Sequence, residues 1–422
     1  MKIGRGKQDI TPLYPIVMGG YGDRSGKSQD VLDRIFARTI VLEDDEEQKI
    51  VIIALDIIGL TRVQIQYIKK NIFKLTGILK ENIVISVTHT HSGPLTYDYP
   101  TMGKADEEYV EWLYKVIPTT VVKALKDLKE CKIDWYQGNF SDVGNSRRSR
   151  NKKVEPILTI LGFTDLRDNL LATLFNYNCH PTVLSAANLE ISADYPGASI
   201  DLLEKVYGED ALFVFTNGAC GDISTRFTRR SQDYREVKRL GSLLAAEVIK
   251  VLNKMEFTQE VPNVFIKGRD FELQPRELPS LEELETQEKV YQERLIKLEN
   301  EGADGGDIRI AHTALQGVRV QKLLKEYASR LELNGIMKGI KIGNGVIITQ
   351  PAELFSSLGN TIINASPYEI TMVIGYAEGS IGYLPDKKSY NEGGYEALSC
   401  RFKVGEGERL ADMAISLLKE ME

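Results

Sequence analysis

The sequence predicts an α/β fold of the mixed α+β kind, with layered sheets, covering helices and a metal site at the carboxyl ends of strands. Three observations support this prediction. Short apolar runs such as Lys49 to Leu55 and Leu170 to Tyr177 are typical of buried strands. Longer segments such as Thr61 to Leu75 have the periodicity of helices. Histidines follow two of the strands, and open α/β sheets bind ligands at such strand ends.

The composition is that of an ordinary globular protein. Of the 422 residues, 42% are hydrophobic and 27% are charged, and no repeat or linker divides the chain, so we predict one domain over residues 1–422. A net charge of −7 gives no reason to expect nucleic acid or an anionic membrane as a partner. The start of the chain does not resemble a signal peptide, and no apolar run approaches the roughly 18 residues that span a bilayer. The four scattered cysteines fit neither a disulfide framework nor a CxxC zinc site, so we expect a cytoplasmic protein with reduced thiols.

The amino-terminal segment combines a glycine-rich turn with the first strands. Val17 to Gly22 contains glycines that either let the backbone pass close to a ligand or form an ordinary bend. Strands are predicted at Ala37 to Leu42 and at Lys49 to Leu55, and the helix at Thr61 to Leu75 follows them. The next strand, Ile83 to Val87, leads directly into a segment that contains two histidines.

Two of the protein's four histidines lie in the segment Thr88-His89-Thr90-His91-Ser92-Gly93-Pro94. In an extended segment, residues two apart point the same way, so both imidazoles can face one small volume. Imidazole is the commonest metal ligand among side chains. The alternative is a pair of loop histidines that face solvent.

A basic cluster follows the next helix and strand. The helix is predicted at Glu107 to Leu128 and the strand near Ile133 to Gly138. The segment Asn145 to Arg150 then contains three arginines. It is either a solvated loop or turns one guanidinium inward to hold a polar group of a substrate.

A third histidine repeats the pattern of the first two. Strands are predicted at Ile157 to Gly162 and at Leu170 to Tyr177, and His180 follows the second of them. A second histidine in the same place after a buried strand favours a site shared with His89. Asp194, which precedes Tyr-Pro-Gly, is typical of the N-cap of a helix.

The middle of the chain predicts a strand, a glycine-rich loop and three helices. The strand at Leu212 to Thr216 leads into Asn217 to Ser224, which could present backbone N–H groups to an oxyanion but lacks the Walker lysine and the dinucleotide spacing. The chain is then helical from Gln232 to Met255. Leu278 to Leu331 predicts two amphipathic helices broken at Asn300 to Gly306.

The predicted helical hairpin over about 278–331 has two interpretations. It is either a peripheral cover or a contact between copies of the chain, so a homo-oligomer stays open. We interpret its histidine, His312, as uninvolved in the site.

Polar residues follow two further strands near the carboxyl terminus. Strands near Gly339 to Ile342 and Val346 to Thr349 flank an Asn-Gly turn, which is a hairpin signal. Glu353 comes shortly after the second strand and is either a first-turn helix residue or a functional carboxylate. Met372 to Gly375 precedes a loop with four tyrosines, namely Tyr376, Tyr383, Tyr390 and Tyr395.

Spacing alone predicts a catalytic zinc site. His89, His91 and His180 are the candidate ligands, with Glu353 as a further ligand or a base. Histidines with one carboxylate are the usual ligands of a catalytic zinc that keeps an open position. Such a zinc lowers the pKa of bound water toward about 7 and polarises a carbonyl group. The sequence does not show which of these distant residues meet.

Several short motifs carry a resemblance to a known family. They are His89-Thr90-His91-Ser92-Gly93-Pro94, His180-Pro181, Gly221-Asp222-Ile223-Ser224, Pro351-Ala352-Glu353, and Gly382-Tyr383 with Tyr395-Glu396. Through these motifs nearly the whole chain resembles the catalytic domain of the neutral/alkaline non-lysosomal ceramidases. The resemblance implies a zinc-dependent amidohydrolase of sphingolipid metabolism that cleaves a linear amide bond in an N-acyl, lipid-like substrate.

The resemblance also implies roles for individual residues. It assigns zinc to His89, His180, Glu353 and Tyr383, and it places His91 among the catalytic residues, where the imidazole would stabilise an oxyanion. A tyrosine ligand is unusual, and the alternative for Tyr383 is a buried phenol with a hydrogen-bond partner. The remaining implied roles are Ser224 and Tyr395 as catalytic residues, and Gly22, Asp222 and either Arg147 or Arg148 as substrate contacts.

The chain departs from the family pattern in ways that bear on the substrate. The larger family members are secreted and carry a carboxyl-terminal β-domain, and we expect neither a leader nor that extension here. Gly22-Asp23 replaces a serine of the family, and Thr225-Arg226 replaces Pro-Asn after the Gly-Asp-Ile-Ser loop. We therefore give a more soluble N-acyl compound, or another small amide or ester, at least equal standing with ceramide as the substrate.

Two functions of other kinds stay open. A cysteine hydrolase would use Cys179 or Cys220 beside a histidine, although residues adjacent in sequence, such as Cys179 and His180, seldom form a nucleophile–base pair. A non-catalytic protein would bind a metal or another ligand in a closed site, as structural zinc sites do.

Overall fold

The structure is a computed structural model that describes residues 1–259, 264–326 and 332–422. These residues form nineteen strands: β1 Lys2–Asp9, β2 Asp30–Val31, β3 Phe36–Glu43, β4 Lys49–Leu55, β5 Ile83–Val87, β6 Lys129–Glu130, β7 Lys132–Asn139, β8 Asn145–Ser146, β9 Ile157–Thr164, β10 Leu170–Tyr177, β11 Glu190–Ile191, β12 Leu212–Asn217, β13 Ile223–Ser224, β14 Phe265–Glu272, β15 Asn334–Ile342, β16 Gly345–Thr349, β17 Ala352–Leu354, β18 Ile370–Ile374 and β19 Gly382–Leu384. They also form ten α-helices: α1 Arg62–Thr76, α2 Glu107–Lys126, α3 Asp194–Tyr207, α4 Tyr234–Leu252, α5 Leu281–Asn300, α6 Gly305–Glu326, α7 Ser356–Ala365, α8 Lys387–Glu392, α9 Tyr395–Ser399 and α10 Glu406–Lys419. The mixed α+β class predicted from the sequence is confirmed.

Three larger sheets form the layers of the molecule. Their strand orders are β5-β4-β3-β1-β6, β12-β10-β9-β7 and β14-β15-β16-β18. Each contains one parallel pair, β4 with β5, β10 with β12, and β16 with β18, while the other neighbours are antiparallel. The inner faces of all three sheets meet in one apolar cluster that includes Ile52, Leu174 and Ile347. Helices α1 to α4 pack on the outer faces of the first two sheets, and α7 and α10 pack on the third.

Burial on both faces explains why the inner strands are continuously apolar. In β4, Val51 and Ile53 point into the cluster beneath the helices, while Ile50 and Ile52 point into the cluster between the sheets. Because successive side chains alternate between the two faces of a strand, a strand covered on both sides needs apolar residues at every position. This requirement makes Lys49–Leu55 recognisable from its sequence.

Local sequence signals set the ends of the first helix. Thr61 is the N-cap of α1, and its side chain and that of Gln64 each bond to the other residue's backbone N–H in a capping box. Gly77 ends the helix in the left-handed conformation, at φ +75°. The predicted helix at Thr61 to Leu75 is therefore confirmed within one residue at each end.

The carboxyl ends of parallel strands from all three sheets meet at one place. The side chain of Asn217, the last residue of β12, donates to the carbonyl of Thr88, just beyond β5, at 2.6 Å. The backbone N–H of Gly218 donates to Tyr177 O at 3.2 Å, which joins the ends of β12 and β10. Gly375 N donates to Asn217 O at 2.9 Å and brings the end of β18 to the same point. The polar residues that follow these strands consequently face one volume.

Three details of the sequence prediction need correction or qualification. The hairpin between β15 and β16 turns at Gly343–Asn344, one residue earlier than the predicted Asn-Gly, because Gly345 already pairs with Ile342. Asp194 is the first residue of α3 rather than its N-cap, which is Ala193. The predicted end of the helical hairpin at Leu331 lies outside the described residues.

None of the helices in the described ranges has both the length and the apolar character needed to cross a membrane.

Candidate metal centre

His89 is held in an unusual backbone conformation just beyond β5. Its φ is +61°, in the left-handed region that non-glycine residues seldom adopt. Its Nδ1 lies 2.6 Å from the carbonyl oxygen of Ile58. A carbonyl can only accept, so Nδ1 carries a proton, and Nε2 is the ring nitrogen left to face the other side chains of the site. Such a bond from the second ring nitrogen to a backbone carbonyl is the usual way a metal-binding histidine is oriented.

His180 is oriented in the same way at the end of β10. Its Nδ1 lies 2.8 Å from Cys220 O and 3.1 Å from Ile223 O, in the loop that follows β12. The ring is fully buried, and burial is the main reason why the pKa of His180 is lowered. Its Nε2 is therefore the ring nitrogen that faces Glu353, at 3.0 Å.

One carboxylate oxygen faces the Nε2 atoms of both histidines. Glu353 Oε2 lies 3.0 Å from His180 Nε2 and 3.6 Å from His89 Nε2. Burial alone would raise the pKa of Glu353, but the hydrogen bonds and charges of His180 and His89 outweigh it and hold that pKa well below its usual range. Glu353 is thus ionised, and one of its oxygens faces the Nε2 atoms of both histidines.

This donor set fits a zinc ion. Two imidazole Nε2 atoms and one carboxylate oxygen converge on one small volume, where either a proton shared with Glu353 or a cation can lie between them. Two imidazole nitrogens and a carboxylate oxygen are ligands that zinc prefers. The ring nitrogens of His89, His91 and His180 also lie within 4.8 Å of one another.

His91 differs from the other two histidines. It is buried, and neither ring nitrogen has a hydrogen-bond partner among the described residues. Its ring packs edge-on against Tyr21 and His89, each at 4.9 Å between ring centroids. Burial, followed by the charges of His89 and His180, keeps the pKa of His91 well below its usual value. His91 is therefore a neutral imidazole at the cavity with an uncommitted N–H.

Tyr383 is brought beside Glu353 by two very short strands. β17 and β19 pair in parallel, with Glu353 opposite Tyr383. The phenol oxygen of Tyr383 accepts a hydrogen bond from Arg147 Nη1 at 3.1 Å, and the same nitrogen lies 3.4 Å from His180 Nε2. Burial raises the pKa of Tyr383 well above its usual value, although the charge of Arg147 lowers it. Tyr383 thus adjoins the histidine–carboxylate cluster from one side.

The structure distinguishes the two arginines of the basic cluster. Arg147 is buried, lines the cavity and forms an ion pair with Glu396, with Nε 3.0 Å from Oε1. Arg148 lies outside the cavity wall: its Nε is 3.8 Å from the other oxygen of Glu396, and its guanidinium donates to the carbonyls of Ser389, at 3.1 Å, and Gly393, at 2.5 Å. Arg147 is therefore the arginine positioned to contact a substrate in the cavity, whereas Arg148 stabilises the end of α8 and the loop that follows it.

A cavity of about 560 Å³ opens beside the cluster. Six of the site residues predicted from the sequence line it, namely Gly22, His91, Arg147, Ser224, Tyr383 and Tyr395. Ser224 is joined to His180 through a bridge between their backbones, and the ring of Tyr395 lies 5.6 Å from that of Tyr383. The predicted ligands and substrate contacts are thus largely assembled around one space.

The structure does not bring Asp222 to the cavity. Its carboxylate accepts hydrogen bonds from the backbone N–H and hydroxyl of Ser356, at 2.7 and 2.9 Å. The side chain is buried and ties the glycine-rich loop to the start of α7. We therefore assign Asp222 to the support of the loop, in place of the predicted substrate contact.

Two residues at the site were missed from the sequence. The ring of Tyr376 stacks on His89 at 4.3 Å, and its hydroxyl lies 3.3 Å from His180 Nε2. Tyr376 follows strand β18 closely, so the pattern that identified His89 and His180 could have identified it. His312, interpreted as uninvolved, lies in the wall of the cavity because α6 folds back over it. A histidine on a helix carries no comparable signal.

A comparison with protein families agrees with this geometry. The model of the family described as "Neutral/alkaline non-lysosomal ceramidase, N-terminal" matches residues 1–236, which is more than half of the chain. The chain belongs to this family. The match includes His89, His91 and His180 but ends before Glu353 and Tyr383.

Similar curated proteins are neutral ceramidases. One from Drosophila pseudoobscura pseudoobscura is 28% identical over 254 residues, covering 53% of this chain and 36% of that protein. "Neutral ceramidase 1" of Arabidopsis thaliana is 25% identical over 230 residues, covering 49% of this chain and 29% of that protein. The matched segment thus spans about a third of the length of these relatives.

Two solved structures extend the likeness in fold to the whole chain. The neutral ceramidase from Pseudomonas aeruginosa has a TM-score of 0.78 at 18% identity, covering 99% of this chain and 74% of that chain. A structure described as "Ceramidase complexed with C2" has a TM-score of 0.77 at 16% identity, covering 99% and 75%. The ceramidase fold therefore includes the strands that carry Glu353 and Tyr383.

Proposed function

We propose that this ceramidase-family chain is a zinc-dependent hydrolase that cleaves the amide bond of an N-acyl substrate. The observation that carries the proposal is that the Nε2 atoms of two histidines face one carboxylate oxygen. The Nδ1 atoms of His89 and His180 are already engaged by backbone carbonyls, so both Nε2 atoms are directed toward Glu353, where a cation would bind. Membership of the ceramidase family supports the amide bond as the target.

The proposed zinc ligands are His89, His180, Glu353 and Tyr383. Bound zinc would supply a Lewis acid that polarises the substrate carbonyl and acidifies a water molecule. The spacing of the histidines alone favours His91 as a ligand in place of Tyr383. We assign His91 a role in contacting the substrate, because no described residue accepts a hydrogen bond that would orient its ring as a metal ligand. The rings of His89 and His180 are each oriented by such a bond to a backbone carbonyl.

The neighbouring residues orient and stabilise the reacting amide. The free N–H of neutral His91 would donate to the carbonyl oxygen as negative charge develops there, a contribution that is worth more in a site without water. Arg147 holds the hydroxyl of Tyr383 and is itself held by Glu396. Ser224 and Tyr395, which line the cavity, would contact the groups on either side of the amide.

The backbone at Gly20 provides a test of the role of His91. Gly20 has φ +98°, and a Cβ there would lie 2.5 Å from His91 Cγ. We expect Gly20→Ala to displace the imidazole and lower kcat/KM about 100-fold, since misplacement by about 1 Å can have that effect. The matched control is Gly103→Ala, because Gly103 has φ +107° and open space around its Cβ position. Equal losses of activity in the two variants, measured with thermal unfolding of each, would contradict a specific role for His91.

The cysteine-hydrolase alternative is tested with thiol reagents. Cys179 and Cys220 are buried, and burial raises the pKa of both thiols, which disfavours the thiolate. We expect iodoacetamide to leave the activity of the folded protein unchanged, with mass spectrometry showing no label. The same treatment in urea should label all four cysteines. Loss of activity in step with labelling of Cys179 or Cys220 would favour the thiol mechanism.

The substrate is proposed as an N-acyl compound more soluble than ceramide. A cavity lined by arginines, glutamines and hydroxyl groups supports this choice over a long-chain lipid. Ceramide itself, and small esters, stay as alternatives within the same chemistry. The cytoplasmic location and the oligomeric state stay predictions.

A substrate panel tests the proposed function directly. Purified protein would be stripped with a chelator, reloaded with zinc and analysed for metal content by mass spectrometry. It would then be assayed on N-acyl amides of different solubility, on ceramide in mixed micelles and on the matching esters. We expect about one zinc per chain and amide cleavage that is lost on chelation and restored by zinc.

Two outcomes of the panel would change the assignment. Zinc-loaded protein that cleaves no amide and no ester would favour the non-catalytic binding protein. Activity that persists in the metal-free protein would contradict zinc dependence while leaving a hydrolase in place.

A further inference from the structure

The cavity beside the metal centre is strongly positive although the chain as a whole carries a net charge of −7. Arg147, Arg226, Arg229 and Arg309 all line it, and among the described residues the only carboxylate in its wall is that of Asp23. The guanidinium group stays protonated at physiological pH. Clefts lined by one sign of charge concentrate ligands of the opposite sign.

Two of these arginines have no ionic partner. Arg226 Nη1 donates to the backbone carbonyl of Arg147 at 2.6 Å, and Arg229 Nη1 donates to that of Thr182 at 2.6 Å. Neither forms an ion pair with any carboxylate in the described part of the chain. Burial, and next the charge of Arg147, lowers the pKa of Arg226 to about 9. Such clustering of like charges costs free energy in the empty protein.

Arg309, which also lines the cavity, is only weakly paired with a carboxylate. Arg309, on α6, lies 3.5 Å from Asp23, and its guanidinium donates to His312 Nδ1 at 3.1 Å. Ile308 is the one large aliphatic residue among those described in the wall, whereas pockets for apolar ligands are lined mainly by such side chains. The wall is therefore suited to a small anion with polar surroundings and poorly suited to an aliphatic chain.

We propose that the substrate is an anionic amide, whose fragment on the side of Arg226, Arg229 and Arg309 carries a carboxylate, sulfonate or phosphate group. This inference rests on the proposed amide hydrolysis and names its substrate class. The free N–H groups of the unpaired guanidiniums bind the anion, because charge-assisted hydrogen bonds from arginine to such groups are strong and directional. The scissile amide then lies toward Arg147 and the metal centre.

A matched series of substrates tests the charge requirement. All members share a hexanoyl chain, and they are N-hexanoylethanolamine, N-hexanoylglycine, N-hexanoyltaurine and N-hexanoylethanolamine phosphate. We expect kcat/KM for at least one anionic member to exceed that for the neutral member at least tenfold. The carboxylate, sulfonate and phosphate members distinguish which anion the site prefers. Equal cleavage of the neutral and all anionic members would overturn the inference.

Variants that remove one positive charge each test which arginines bind the anionic group of the substrate. Arg229→Gln and Arg309→Gln are each expected to lower kcat/KM for the preferred anion about tenfold, with less than about a twofold change for the neutral amide. Arg235→Gln is the matched control, since that side chain is 95% exposed and lies outside the cavity wall. Thermal unfolding of each variant identifies any general loss of stability. Parallel losses on both substrates in stable variants would contradict the proposal.

Calorimetry separates failure of this inference from failure of the proposed function. If the protein cleaves no amide, binding of N-hexanoyltaurine and N-hexanoylethanolamine to the zinc-loaded wild type is compared directly. Tighter binding of the sulfonate, weakened in Arg229→Gln, would support the anion site without the enzyme. Binding that does not distinguish the two compounds would overturn the anion site. Cleavage without any charge preference would overturn it while leaving the hydrolase intact.

Discussion

Replacing His180 with alanine is expected to abolish stoichiometric zinc binding and to lower kcat/KM about a thousandfold. The substitution removes a ring whose Nε2 lies 3.0 Å from Glu353 and whose Nδ1 donates to two backbone carbonyls. A bound metal contributes several kcal/mol of charge stabilisation, and each 1.36 kcal/mol corresponds to a tenfold change in rate. Metal content by mass spectrometry and kcat/KM on the best amide would be measured on the same preparation. His89→Ala is expected to behave in the same way.

The control for these variants is another histidine of the same cavity. His312 lines the cavity, but within the described ranges it donates to no backbone carbonyl, and it lies outside the cluster of His89, His91 and His180. His312→Ala should therefore keep its zinc and most of its activity. Circular dichroism would establish that each variant is folded. Full zinc content in folded His89→Ala and His180→Ala would contradict the proposed metal centre.

Replacing Glu378 with glutamine is expected to reduce the free energy of unfolding by about 3–5 kcal/mol, because it leaves buried charges without their partner. Glu378 forms ion pairs with Lys69 and with Lys338, the second at 3.7 Å, and accepts from the backbone N–H of Ile85 at 3.0 Å. All three charged side chains are at most 2% exposed. Lys338 also donates to the carbonyls of Glu81 and Ile83, so the cluster joins the start of β5 to the segment before β19.

Urea unfolding followed by circular dichroism would measure this effect. The matched control is Glu369→Gln. Glu369 is an exposed carboxylate that accepts from the side chain of Asn344, and its replacement should change the free energy of unfolding by less than about 0.5 kcal/mol. Equal effects of the two substitutions would contradict a structural role for the buried cluster. The cluster lies two residues beyond Tyr376, so a loosened metal centre is expected to accompany the loss of stability.

The sequence predicted the strands well because their burial is two-sided. Lys49–Leu55 and Leu170–Tyr177 match the structure at both ends, since each apolar run stops where the chain leaves the core. The same pattern, a buried strand followed by a histidine, correctly brought His89 and His180 to one place. It works because the carboxyl ends of parallel strands from different sheets meet there.

Other parts of the site depend on contacts that sequence does not encode locally. Glu353 and Tyr383 lie on strands of three residues that exist only because they pair with each other, and such short strands have no recognisable periodicity. Arg147 and Arg148 are adjacent and both reach Glu396, yet only Arg147 lines the cavity, and no local sequence pattern distinguishes the two. His312 reaches the cavity only through the packing of a helical hairpin far along the chain.

The most direct test of the account is a crystal of the zinc-loaded protein, with diffraction recorded on both sides of the zinc absorption edge. The account predicts one anomalous peak within bonding distance of His89 Nε2, His180 Nε2 and Glu353, with His91 facing the open side of the ion. A peak bonded to His91 and remote from Tyr383 would restore the three-histidine site that the spacing alone predicts. A fully active crystal with no zinc peak at these residues would contradict the metal centre itself.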